Sequence, residues 1–463
     1  MEILSPQAPT REAGAPHLRR VLTLWDLVFY GIVLTQPIAS VPLFGVAQKL
    51  SNGHYATTLL LAMFPMLITA FSYGRMAAIY PSAGSAYTYV GKGLNAYLGF
   101  LVGWAVLLDY GLTPLVNGIW VAIVIHARYL PQIPFVVGMF LVVAIMVAPN
   151  LRGIKTSALS DKILLAGMFS VTVVFILLAI HFLFHHQGWS GLVSPQPFYN
   201  PRTFAIRTVW TATSYSVLTY FGFEGVTTLA EDIKNPKRNV LVAIVLVCLF
   251  TGVFGGFLAY LGQRVWPDWH TLPNLETAFM DVCARVGGPG LFHAMGFTIL
   301  LADIGGGLAG ILGAARLLFG MGRDNVLPRR IFAHLSPGSS TPTYNILIIG
   351  TVVFVGGIAL QHVGNAFEHA GELQNYGAFF AFANVNLAAF WQFAFVRPHK
   401  SKLRTIADSG LSLFGAVFCA IMWWNLDSVA RVVGGLWFFI GVAYLATATR
   451  GFTVPPRMIG SGE

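Results

Sequence analysis

Charge is what this chain has least of. Asp, Glu, Lys and Arg make up 10% of its 463 residues, where a soluble domain carries about 25%. With 56% hydrophobic residues and a mean hydropathy of +0.69, soluble packing cannot hide the apolar surface, which excludes a water-soluble globular protein. Cysteine is scarce as well. Cys248, Cys283 and Cys419 are scattered through or beside apolar segments. Their spacing suits neither a disulfide framework nor a metal site, so they read as packing residues. No Gly-x-x-x-x-Gly-Lys-Ser/Thr loop occurs, which argues against transport driven by nucleotide hydrolysis. Pore-type selectivity sequences, interdomain linkers and low-complexity segments are also absent.

What is present is a series of apolar segments. At about 20 residues per crossing, the chain holds twelve spans, read at 21–46, 55–78, 96–126, 134–150, 160–184, 204–229, 239–262, 290–320, 344–361, 372–395, 408–424 and 430–448. The first twenty residues are polar, carry Arg11, Arg19 and Arg20, and show no cleavable signal. Of the 28 Lys and Arg, seven (Lys49, Arg128, Arg202, Arg207, Arg264, Arg285 and Arg431) fall opposite the N-terminal side, and the remaining 21 fall on it. An excess of Lys and Arg marks the cytoplasmic side. The expectation is a multi-pass inner-membrane protein with both termini cytoplasmic. Residues 1–20 form a tail, 21–398 a core of ten spans, 399–450 two further spans and 451–463 a second tail. This placement accounts for the net charge of +10 without a nucleic-acid partner; the lipid bilayer is the expected surround.

Two spans are interrupted. The first crowds Gly31, Thr35, Gln36, Pro37, Ser40 and Pro42 together, and a proline inside a helix removes one hydrogen bond and clashes with the preceding turn. The sixth carries Phe221-Gly222-Phe223-Glu224-Gly225 in the middle of an apolar run. A carboxylate in hydrocarbon costs several kcal/mol unless it faces a cavity or partner, so Glu224 is a functional-site hypothesis. Two broken helices five spans apart are the expected mark of an inverted repeat of five plus five, with the site at the breaks. Spans eleven and twelve then lie outside the repeat.

Other residues carry possible chemistry. Asp109 lies mid-span in Leu107-Leu108-Asp109-Tyr110, and Asp303 precedes Gly305-Gly306-Gly307. These two acids and Glu224 face no clear base at mid-membrane depth, which biases the site toward cations. Phe221 and Phe223 offer aromatic faces for an ammonium, worth about 2 kcal/mol when desolvated. Trp104 and Asn117 on the third span are further candidates. His181, His185 and His186 have helical metal-ligand spacing, but one such box on the outer side reads as interfacial. No cofactor or metal is expected, and the chain is read as a non-enzyme.

Four stretches resemble one known family. They are Pro81-Ser82-Ala83-Gly84-Ser85-Ala86-Tyr87, Gly103-Trp104 to Leu108-Asp109-Tyr110, Phe221 to Glu224 with Leu229-Ala230-Glu231-Asp232-Ile233-Lys234-Asn235-Pro236, and Ala315-Arg316-Leu317-Leu318-Phe319-Gly320-Met321-Gly322-Arg323-Asp324-Asn325. In this order and at these topological positions they resemble the amino acid–polyamine–organocation permeases, from about Leu24 to Arg397. The resemblance implies an all-α membrane fold of twelve helices and secondary transport by alternating access. It implies substrate contacts at Thr35, Gln36, Ile38, Ala39, Ser40, Asp109, Tyr110, Phe221, Gly222, Phe223 and Glu224, with Glu224 and Asp303 as ion-coupling residues.

Two departures bear on the substrate. The family's Gly-Ser-Gly triplet, whose N–H groups hold a substrate carboxylate as a helix N-terminus holds any anion, falls here on Pro37-Ile38-Ala39. Proline has no N–H to give. In this the chain looks more like the bacterial putrescine-importer branch. A lysine that many sodium-independent members place eighteen residues after the asparagine matching Asn150 is Met168 here. The expected substrate is a small amine such as putrescine coupled to a proton. The alternatives are a cationic or zwitterionic amino acid, or amine/amino acid exchange, and sodium as the ion.

Overall fold

The computed structural model describes residues 22–81, 85–153, 158–230, 233–323, 327–336, 341–398, 400–454 and 456. The two tails at 1–20 and 457–463, Ser82-Ala83-Gly84, Glu231-Asp232 and Asp324-Asn325 lie outside the described residues. The rest is helical, with a single two-residue bridge.

Twelve crossings follow in chain order. The first is split into Leu24–Thr35 and Phe44–Leu50, and the second is Tyr55–Ile79. The third is Ala96–Val124, extended by a wide turn at Ile125–Tyr129; the fourth is Phe135–Leu151 and the fifth Ala158–Gln187. The sixth is split into Ile206–Ser216 and the tight turns Val217–Tyr220 and Phe223–Leu229. Then come Pro236–Val265, Ala278–Arg323, Thr343–Val363, Ala366–Trp391, Lys402–Trp424 and Ser428–Ala448. Among the described residues nine helices are long and apolar enough to cross a membrane unaided, and Leu24–Thr35 and Phe135–Leu151 are shorter. The split first and sixth spans fall short because each crosses as two pieces.

Local chemistry sets several boundaries. Thr23 caps the first span in a reciprocal box with Asp26, whose carboxylate accepts the Thr23 N–H at 2.8 Å. Asn95 accepts the Leu98 N–H at 2.9 Å to start the third. Pro236 occupies the first turn of the seventh, where its missing N–H costs nothing. The eighth span begins at the expected position, next to 290, behind a short helix that was not expected. The helix 278–323 is continuous except at Gly288, with φ 68° and ψ −168°, a conformation open only to glycine. Residues 278–287 are therefore a separate short helix lying before the span proper. The connection 266–289 between the seventh and eighth spans includes this helix.

The packing pairs repeat when five is added to each span number. The third packs on the tenth and the eighth on the fifth. The third packs on the fourth and the eighth on the ninth; the first packs on the seventh and the sixth on the second. The second packs on the tenth and the seventh on the fifth. Five is odd, so each helix and its counterpart cross in opposite directions, which is an inverted repeat. Spans eleven and twelve pack mainly on the tenth, outside this symmetry. The belt they and their neighbours present is apolar, with Phe140, Leu177 and Phe439 57%, 62% and 71% exposed. The strand bridge joins Leu22 to Ile233, and Lys234 donates to the Leu22 carbonyl at 3.0 Å. It ties the start of the first span to the end of the sixth.

Candidate functional site

The two breaks lie against each other. Gly222 has φ 100°, and a Cβ placed there would stand 2.7 Å from the Leu34 carbonyl oxygen. Only glycine lets the sixth span approach the end of the first so closely. Across the first break the backbone closes on itself: Ala39 donates to the Gln36 carbonyl at 3.0 Å and Val41 to that of Ile38 at 2.8 Å. Pro37 contributes no donor, and the Ala39 N–H is spent within the turn. Gln36 itself takes φ 53° and ψ 115°, a region that non-glycine residues rarely occupy. Its amide donates to the Ala302 carbonyl at 3.2 Å, anchoring the break to the eighth span.

Thr35 and Ser40 are both buried. Thr35 donates to the Gly31 carbonyl at 3.0 Å and accepts from Thr251 at 3.2 Å. The Ser40 carbonyl accepts from the Tyr55 hydroxyl at 3.0 Å, while its own hydroxyl is buried with no protein partner. Ile38 is buried and Ala39 partly so.

The acids divide into two groups. Asp109 on the third span accepts from the Gln374 amide at 3.0 Å, and the same amide reaches Thr113 at 2.9 Å. Gly377 makes this approach possible, since a Cβ there would stand 2.5 Å from the Ala105 carbonyl oxygen. Glu224 turns back to its own break and accepts the Gly222 N–H at 3.2 Å. Asp109 and Glu224 feel each other's charge, and both act on the Tyr73 and Tyr110 hydroxyls. These four groups lie within electrostatic range of one another. No lysine or arginine forms an ion pair with either carboxylate among the described residues.

Asp303 stands apart. Its main-chain carbonyl accepts from Asn117 at 3.2 Å, and Asn117 lies eight residues beyond Asp109, about 12 Å along the helix. One carboxylate oxygen of Asp303 is buried without a protein partner. Gly306 lets the Gln36 and Asn117 amides close over the same stretch of helix. Asp303 therefore belongs with Gln36 and Asn117 rather than with Asp109 and Glu224.

The aromatic residues are tightly packed. Phe223 is fully buried, 6.0 Å from the Tyr73 ring and 5.4 Å from Phe382; Phe221 lies 6.1 Å from Phe382. Trp104 packs elsewhere. It stacks on Trp437 at 4.6 Å and donates to the Trp437 carbonyl, joining the third span to the twelfth. His181, His185 and His186 sit at the end of the fifth span, where His186 pairs with the Phe182 carbonyl.

Sequence reasoning missed Gln374, Tyr73 and Glu372. Glu372 is a fourth buried acid, 4% exposed, accepting from the Asp427 N–H at 3.4 Å. The run Glu372-Leu373-Gln374-Asn375 is polar enough to have drawn notice. Starting the tenth span at 372 rather than at Ala366 put it at a helix end, where polarity needs no explanation.

Comparison with known proteins agrees with this architecture. Residues 22–459 match the amino acid permease family. The low-affinity putrescine importer PlaP of Escherichia coli is 32% identical over 450 residues, covering 96% of this chain and 97% of that protein. The branched-chain amino acid permease BcaP of Lactococcus lactis is 23% identical over 472 residues, covering 94% and 96%. In fold, the chain is similar to the crystal structure of the Eremococcus coleocola manganese transporter, with a TM-score of 0.52 at 12% identity over 91% of this chain and 94% of that one. With an inverted five-plus-five repeat, two abutting helix breaks and a family match over nearly its whole length, this chain belongs to the amino acid permease family and is a membrane transporter of small organic substrates, not an enzyme.

Proposed function

We propose that this transporter imports a small amine of the putrescine type by alternating access, driven by the proton gradient. Asp109 and Glu224 bind the substrate's ammonium groups, and Asp303 is a separate ion-coupling carboxylate. The observation that carries this reading is the pair of buried acids Asp109 and Glu224, within electrostatic range of each other, beside a break that offers few N–H groups to an anion. Two desolvated carboxylates without a basic partner favour a cation. Pro37 and the internally bonded Ala39 leave the first break a weak carboxylate holder. The putrescine importer among the relatives supports the same substrate class.

Thr35, Gln36, Ile38, Ala39, Ser40, Tyr110, Phe221, Gly222 and Phe223 complete the substrate region in this proposal. Glu224 caps the Gly222 N–H, so an arriving ammonium shares or replaces that bond. A carboxylate that alternates between its own backbone and a cation links occupancy to the shape of the break. The Lys and Arg bias supports an inner-membrane orientation with both termini cytoplasmic. The segments 21–398 and 399–450 act as transport core and added hairpin.

The test is competitive uptake in proteoliposomes under an inward proton gradient, putrescine against ornithine. The two differ by one carboxylate. Uptake of putrescine with weak competition by ornithine is the expected result. Preference for ornithine would replace the amine reading with an amino acid permease, and uptake indifferent to the proton gradient but dependent on sodium would replace the coupling ion.

A further inference from the structure

The face where odd-numbered spans end and even-numbered spans begin carries a groove separate from the helix breaks. Its volume is about 440 Å³. Arg207, Trp210 and Thr211 at the start of the sixth span form one wall; Trp424, Asn425 and Arg431 at the turn between spans eleven and twelve form the other. Both arginines lack a carboxylate partner among the described residues. The nearest acid in sequence, Asp427, is otherwise engaged. Its carboxylate caps the Ala430 N–H at 2.5 Å and pairs with His369, and it gives Arg431 only a main-chain carbonyl at 3.4 Å.

Two guanidinium groups facing one groove repel each other unless an anion lies between them. Their planar forks match phosphate oxygens two at a time. Asn425 adds a donor, since one of its amide hydrogens goes to the Ile421 carbonyl at 2.7 Å and the other is left over.

The surroundings of the groove choose among phosphates. Phe414, Val417, Ile421 and Trp424 are 48%, 50%, 42% and 72% exposed, and their spacing of three and four places them on one face of the eleventh span. This stripe runs about 15 Å down the helix from the groove. Ile206 extends the opposite wall at 70% exposed. Trp210 packs on Phe418 at 5.3 Å and closes the floor between the two helices. Tryptophans at helix ends sit at headgroup level. A free anion would use only the polar end; a phospholipid uses both.

We propose that this groove holds one phospholipid, its phosphate between Arg207 and Arg431 and an acyl chain along the Phe414–Trp424 stripe. Two positive charges select a headgroup with net negative charge over a zwitterionic one, whose ammonium they repel. The site rests on neither the substrate nor the coupling ion, so it stands or falls independently of them.

The experiment is native mass spectrometry of the purified full-length transporter with phosphatidylglycerol or phosphatidylethanolamine. One phosphatidylglycerol per chain is retained at concentrations where phosphatidylethanolamine is not. Arg207→Gln with Arg431→Gln lowers its apparent affinity roughly tenfold or more. Arg207→Lys with Arg431→Lys, which keeps the charge and loses the fork, gives an intermediate loss and serves if the glutamine pair does not fold. Excess inorganic phosphate leaves the bound lipid in place. Equal phosphatidylglycerol retention by wild type and both double variants would overturn the site, and displacement by inorganic phosphate would make it a free-anion site instead.

Discussion

Replacing Gly222 by alanine tests whether the two breaks touch as closely as described. Two separate costs arise. The backbone at Gly222 has φ 100° and ψ −17°, and a left-handed conformation costs a non-glycine residue about 1–2 kcal/mol. The new methyl would lie 2.7 Å from the Leu34 carbonyl oxygen and 2.8 Å from its carbon. Backbone cannot swing aside as a side chain can, so overpacking adds about 1–3 kcal/mol. The sum is about 2–5 kcal/mol for Gly222→Ala. Gly225, three residues on, is the internal control. Its added methyl would meet the Leu34 Cδ1 at 2.5 Å, the end of a flexible side chain, and alanine returns up to about 1 kcal/mol of helix propensity. Gly225→Ala should therefore change stability by no more than about 1 kcal/mol. Chemical unfolding in detergent micelles reads the difference, and proteoliposome uptake reads the function. Gly222→Ala should also lose uptake beyond its loss of folded protein, because it pushes the broken spans apart at their junction. Equal stability of the two variants would refute the close approach.

Glu224→Gln keeps an oxygen to accept the Gly222 N–H and loses the charge; the transporter should stay folded by size-exclusion chromatography while coupled uptake falls at least a hundredfold, the scale of about 3 kcal/mol for a desolvated ion pair. Uptake with normal pH dependence in that variant would remove Glu224 from the mechanism. Gln374→Leu strips Asp109 of its amide donor, a charged hydrogen bond worth about 1.5–3 kcal/mol, and should raise the half-saturating substrate concentration roughly tenfold; an unchanged value would mean that Asp109 does not meet substrate. Replacing Pro37-Ile38-Ala39 by Gly-Ser-Gly restores N–H groups at the first break and should shift competition from putrescine toward ornithine, and an unmoved ratio would undo the anion-site argument.

Most of the architecture was legible because a bilayer constrains sequence locally. Each crossing needs its own apolar run, and backbone groups freed inside the membrane must be satisfied by protein or water. Pro37, Pro42, Gly222 and Gly225 therefore announced the two breaks without any knowledge of their neighbours. The Gly-Phe-Glu-Gly run marked Glu224 for the same reason, since a charge at that depth demands an explanation. The start of the eighth span was legible for a similar reason, since Gly287-Gly288-Pro289-Gly290 is a helix-breaking run; the short helix 278–287 before it was not.

By itself, then, the sequence determined the twelve spans, the two breaks, the inverted repeat and the family. Tertiary structure alone decided which polar groups meet. Gln374 reaches Asp109 across 265 residues, Asp303 sits with Gln36 and Asn117 instead of with Glu224, and Trp104 turns to the twelfth span. The physical reason is that lipid and helix interfaces are about equally apolar. A membrane helix carries little periodic signal to say which face looks inward, and the register between distant helices emerges only when their side chains pack.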